Sequence, residues 1–157
     1  MILNDREVRK VIPTWLVVAD NGKARIFTVS SHKGPIEEIE SIVHAEARLH
    51  EQNMTSDLPG RGSGKGGTGH SYQDEVSPKD QENINFAKQI ASELDAARKD
   101  GKFKQLMLVA APAFLGNLRN QLPAQTQKIT CFELAKNMSH LNAKEIRELL
   151  PEQLPSL

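Results

Sequence analysis

From Thr14 to Asp20 the chain reads TWLVVAD, an unbroken apolar run rich in β-branched and aromatic residues. This is the pattern of a strand buried on both faces. After Asp20-Asn21-Gly22-Lys23, residues Ala24 to Val29 alternate, Ile26 and Thr28 against Phe27 and Val29. Asn-Gly suits the positive φ angles of a type I′ turn, so a hairpin is predicted. Ile36 to His44, after Gly34-Pro35, reads as a third strand, although Ile36, Ile39 and Ile42/Val43 would also line one face of a helix. Periodicity then vanishes from about His50 to Ser77, where six of the ten glycines fall between positions 60 and 69. A long stretch without periodicity is uncommon inside a compact domain, and a mobile Gly-rich loop over about 53–77 is predicted.

Ser77-Pro78-Lys79-Asp80 opens a helix: Ser caps, Pro suits the first helical position and Asp80 faces the positive helix end. Ile84, Ala87, Ile90/Ala91, Leu94 and Ala97 form its apolar stripe, and Gly101 is placed to stop it. Gln105 to Ala111 reads as a buried strand, and Pro112 begins a helix carrying Leu115, Leu118 and Leu122 before Pro123. Ile129 to Leu134 is the last strand. Asn142 and Glu145 have capping-box spacing ahead of Ile146, Leu149 and Leu150, and Pro151 closes that helix. The predicted order is βββαβαβα. It implies one α/β domain over residues 1–157, with a five-stranded sheet antiparallel on one side and parallel on the other, and three main helices.

Composition narrows the chemistry. A chain of 157 residues buries enough surface for a core without disulfides or a structural metal. One Cys and five scattered His give no paired ligand spacing, so neither a zinc fold nor a disulfide scaffold is expected. No cofactor is assigned. Cys131 reads as a small core residue. The opening MILNDREVRKV puts charges where a signal peptide needs an apolar stretch, and a cytoplasmic location is expected. The longest apolar run, Leu106 to Leu115, contains Pro112 and is about half of the roughly 20 residues that span a bilayer, so no membrane span is expected. Lys+Arg and Asp+Glu balance at 20 each, so any basic patch must be local.

The loop supplies that patch. Pro59-Gly60-Arg61-Gly62-Ser63-Gly64-Lys65-Gly66-Gly67-Thr68-Gly69-His70 lies in a stretch without an acid from Leu58 to Gln73. Its glycines leave amides approachable, while Arg61 and Lys65 offer cations to phosphate. The same composition also suits a solvated tether. It is not a P-loop, because a Lys-Ser/Thr pair is missing and the helix starts about ten residues too late. His70 could contact phosphate or act as an acid–base group, and His140 is placed to support the last helix junction. Asp20 could hold a metal in a ribonuclease-H-like arrangement, but Ala110-Ala111-Pro112 offers no second carboxylate, and a turn-forming role fits its Asn-Gly neighbour. No catalytic residue or metal ligand is assigned. Seven aromatics make a base-stacking surface a poor guess.

Several segments together resemble the bacterial host attachment protein family: TWLVVADNGKARIF, SDLPGRGSGKGGTGH, SPKDQENINFAKQIASELD, LMLVAAPAFLGNLR and KNMSHLNAKEIRELL, in order over about Pro13 to Leu150. The most specific pieces are Asp57-Leu58-Pro59-Gly60-Arg61, Ala110-Ala111-Pro112 and Ser139-His140-Leu141. Asn137 stands where the pattern leads one to expect an acid after Lys136. More distantly, the chain is similar to the middle domain of archaeal and eukaryotic peptide-chain release factors, which places a Gly-Gly-Gln loop before its first long helix. Lys65-Gly66-Gly67-Thr68 occupies the matching place here without the glutamine. The resemblance implies a translation-associated module that binds tRNA or ribosomal RNA through Arg61, Lys65, Gly66, Gly67, Thr68 and His70, without release activity. The competing reading is a non-enzymatic interaction protein that supports attachment to host cells through a protein partner.

Overall fold

A computed structural model describes residues 12–45 and 77–155. Five strands form one open mixed sheet: β1 (Thr14–Ala19), β2 (Lys23–Val29), β3 (Ile36–Val43), β4 (Gln105–Ala110) and β5 (Thr130–Ala135). Their spatial order is β3-β2-β1-β4-β5. β1 pairs antiparallel with β2 and parallel with β4, β2 pairs antiparallel with β3, and β4 pairs parallel with β5. The helices are α1 (Pro78–Lys99), α2 (Pro112–Gln121), α3 (Ala124–Lys128) and α4 (Ala143–Leu149). The structure is thus the single α/β domain with a five-stranded mixed sheet that the pattern predicts.

The two central strands explain their own sequences. Every residue of β1 and of β4 is buried, so neither strand has a solvent face to mark with polar residues. Trp15, Val17 and Ala19 join Leu106, Leu108 and Ala110 beneath α1 and α2. Leu16, Val18, Met107 and Val109 point the other way, toward Met138, Ile146, Leu150 and Leu154. Helices therefore cover both faces, and burial of each such Leu or Val side chain contributes about 1.5–3 kcal/mol.

α1 begins as its sequence requires, with Ser77 Oγ accepting from Asp80 N at 3.1 Å and Pro78 in the first turn. It stops in a Schellman arrangement. Gly101, at φ 77°, donates to Arg98 O, and Lys102 N donates to Ala97 O at 3.0 Å. The buried stripe includes Phe86, whereas Ile84 is only half-buried.

Three details depart from the sequence reading. The helices number four among the described residues rather than three, because one turn, α3, follows Pro123 with Thr126 as its buried residue. It has no apolar stripe to read. The Asn21-Gly22 turn is not type I′, since Gly101 is the one described residue with positive φ. Instead Asp20 Oδ1 accepts from Gly22 N at 2.7 Å and Lys23 N at 2.9 Å, closing the hairpin as an Asx turn. Leu149 is exposed, so Ile146 and Leu150 hold α4 down without it.

β3 is a strand, and its ambiguity has a cause. It lies at the sheet edge with burial confined to Ile36 and Ile42. Opposite β2, Ile26 faces Glu40 while Phe27 faces Glu38, leaving Ile39 as the extra residue of a bulge. The bulge pushes Ile39 into solvent and, with Glu37 and Glu38, blunts the edge against pairing.

Candidate nucleic-acid interface at the carboxyl edge of the sheet

Because β2 is antiparallel to both its neighbours, β3 runs in the same direction as β1, β4 and β5. Their carboxyl ends and the start of α1 therefore share one edge, which is where open α/β sheets hold ligands. The connection from β3 to α1 leaves and returns at this edge. Arg61, Lys65, Gly66, Gly67, Thr68 and His70 belong to that connection and lie outside the described residues, as does the predicted mobile loop apart from Ser77.

What the structure does place at this edge is the frame around the connection. His44 is buried, its N–H donates to Gly22 O at 2.9 Å, and its Nδ1 meets Asn21 O. Its ring stacks on Phe86 of α1 at 4.5 Å between centroids and 7° between planes. Phe86 in turn meets Phe114 at 5.8 Å. The end of β3 and the third turn of α1 are thereby fastened together through side chains.

A second set of contacts ties the edge to the segment after β5. Asp20 Oδ2 accepts from Ser139 Oγ, and Asn137 Oδ1 lies 3.1 Å from the same hydroxyl. Arg25 crosses beneath: Nη1 donates to Ser139 O at 2.9 Å and to Leu141 O, while Nε and Nη2 grip Glu38 at 3.0 and 2.9 Å. Its guanidinium carbon also sits 5.1 Å from the Phe27 ring centroid. The Arg25 fork holds the Glu38 carboxyl below the ordinary carboxylate range, outweighing the opposite effect of its partial burial. Ser139-His140-Leu141 is thus pinned on both sides of an exposed His140.

These contacts assign Asp20 to the turn and to Ser139. Both of its oxygens are engaged, and β4 ends in Ala110-Ala111-Pro112 with no carboxylate beside it. Among the described residues no group of three His, Cys, Asp or Glu is arranged to hold a metal ion. Cys131, on β5, is half-buried, and burial raises its thiol pKa. Sequence reasoning missed Arg25 and Glu38 because their partners are 13 to 116 positions away, and only the Arg-Ile-Phe alternation hinted that one β2 residue was polar for a reason.

A family model described as "Protein required for attachment to host cells" matches residues 15–150. No curated protein matches the chain. Similar solved structures include the crystal structure of an archaeal translation termination factor, 12% identical, with 89% of this chain and 35% of that one covered and a TM-score of 0.42. Another is an archaeal protein, 10% identical, with coverages of 87% and 33% and a TM-score of 0.43. The chain spans about a third of the length of these structures. Among the described residues no helix is long and apolar enough to cross a membrane.

Proposed function

The chain belongs to the family of proteins required for attachment to host cells, and from that premise we propose that it is a translation-associated module binding tRNA or ribosomal RNA through the β3–α1 connection. The observation that carries this reading is where that connection begins and ends: β3 leaves and α1 starts at the carboxyl edge of the parallel strands, and the sequence between them sets Arg61 and Lys65 among six glycines with no acid from Leu58 to Gln73. Glycines let backbone amides approach phosphates, and the two cations neutralise them. Thr68, in place of the glutamine of release factors, argues for binding without ester hydrolysis. The reading requires a cytoplasmic location, where ribosomes and tRNA are found.

A second reading, contact with a protein partner during attachment, has the family description in its favour. Ribosome co-sedimentation separates the two. Phosphate contacts release counterions, so ribosome association should weaken as salt rises, and Arg61→Ala with Lys65→Ala should reduce the salt slope by roughly one to two units. Equal binding by parent and double variant, or no binding by either, would refute the RNA reading in favour of the protein-partner one.

A further inference from the structure

At the opposite edge of the sheet, a cleft of about 420 Å³ lies between the end of α1, the link into β4 and α3. Arg98, Lys104, Gln125 and Lys128 line it together with Phe103 and Ile129, and among the described residues no carboxylate does. We propose that this cleft binds a phosphate group carried on a small, partly apolar body: a nucleoside phosphate, free or as one unit of a strand.

Cations near helix C-termini usually serve the exposed carbonyls. That explanation falls short here, because Ala96 O, Ala97 O and Arg98 O already accept from the amides of Asp100, Lys102 and Gly101. The ammonium groups of Lys104 and Lys128 have neither a hydrogen bond nor an ion pair among the described residues. Arg98 is better prepared. Its Nε and Nη2 meet Asp95 Oδ1 at 3.3 and 3.0 Å, and its side chain is only 20% exposed, so its position is set before any ligand arrives. Nη1 has no hydrogen-bond partner among the described residues, and a guanidinium offers donors in a planar array suited to phosphate.

The rest of the cleft fits a body heavier than an inorganic ion. Its volume falls within the usual range for small-molecule sites, about 300–1,000 Å³. Phe103, buried and stacked on Trp15 at 4.8 Å, makes a rigid base, and Ile129 adds an apolar wall. At Gly101 a Cβ would meet nothing within 4 Å, so this wall is open to a ligand's approach. None of these features involves the β3–α1 connection, so the inference stands apart from the proposed RNA contact.

The test uses the isotope-labelled full-length protein, titrated separately with AMP and with a short single-stranded RNA while the Gly101 and Gln125 amide resonances are followed. Saturable shifts at both amides are expected. Lys104→Ala with Lys128→Ala should weaken binding by about tenfold or more, through loss of two charge-assisted contacts, with an unchanged melting temperature. Lys79→Ala with Lys88→Ala, both on exposed α1 positions, should bind as the parent does. A response to AMP identifies a free nucleotide as sufficient, and a response to RNA alone identifies a strand. No saturable shift with either probe would overturn the proposal. So would parental affinity in the Lys104/Lys128 variant, or an equal loss in the Lys79/Lys88 control.

Discussion

Arg25→Met tests how much of the carboxyl edge depends on one guanidinium. Methionine keeps an apolar stem against Phe27 but deletes every polar contact. Two groups of interactions are lost. The first is the pair of bonds to Ser139 O and Leu141 O, in a segment where Ser139 is 1% exposed and no water replaces the donor easily. Leaving a buried acceptor unsatisfied costs about 1–3 kcal/mol. The second is the bidentate pair with Glu38, whose side chain is 35% exposed and rehydrates once released, so this part is worth only about 0.2–1 kcal/mol. The sum is about 1–4 kcal/mol, a fall in melting temperature of roughly 2–16 °C for a domain of this size. Urea unfolding followed by fluorescence of Trp15, the one tryptophan, reads it directly. Glu38→Gln, which leaves the carbonyl contacts intact, should cost less than about 1 kcal/mol. If Arg25→Met changed stability by less than about 0.5 kcal/mol, the range of ordinary surface substitutions, or if Glu38→Gln cost as much, the carbonyl contacts would not be what holds the edge.

The depressed Glu38 pKa means that the unfolded chain takes up this proton first as pH falls. Its contribution is therefore fully present above the ordinary carboxylate pKa and is lost as pH falls through the lower native value, and Glu38→Gln should flatten the acid limb of a stability–pH curve. An unaltered limb would contradict this. Gly101→Ala meets no steric neighbour but must keep φ near 77°, so thermal melting should show a loss of about 1–2 kcal/mol from backbone strain alone. Phe86→Ala removes a ring that is 1% exposed and should cost about 3–5 kcal/mol by denaturant titration, with Leu149→Ala, on an exposed side chain, near zero.

Much of the fold was legible because its central strands are buried on both sides and its long helix is punctuated at both ends. TWLVVA and QLMLVA could scarcely be anything but interior strands, and Ser77-Pro78 with Gly101 bracketed α1. Legibility fell where burial was partial. β3 exposes most of its residues and carries a bulge, so its apolar positions imitate a helical spacing. α3 is one turn long, and no periodicity can mark so short an element. Asn-Gly suggested backbone geometry that the Asp20 side chain made unnecessary. At the candidate site the loop cations were visible as composition, whereas the Arg25 fork and the Asp20–Ser139 contact join residues 13 to 119 positions apart, a relation that local pattern does not encode.

The stacking of His44 on Phe86 has a consequence for how freely the chain length between them can vary. Because the two rings fasten β3 to α1 directly, the two ends from which the 31 residues between positions 45 and 77 depart are held relative to one another by side chains. Phe86 lies eight positions beyond Pro78, about 12 Å along the helix axis at 1.5 Å per residue. A substitute of a few extended residues, at about 3.3–3.6 Å each, covers such a distance, and doubling the natural length adds only about 0.6 kcal/mol of closure cost. Both ends of the connection thus stand on a fixed frame: in chain reach and closure cost alone, a link of quite different length could join His44 to Ser77.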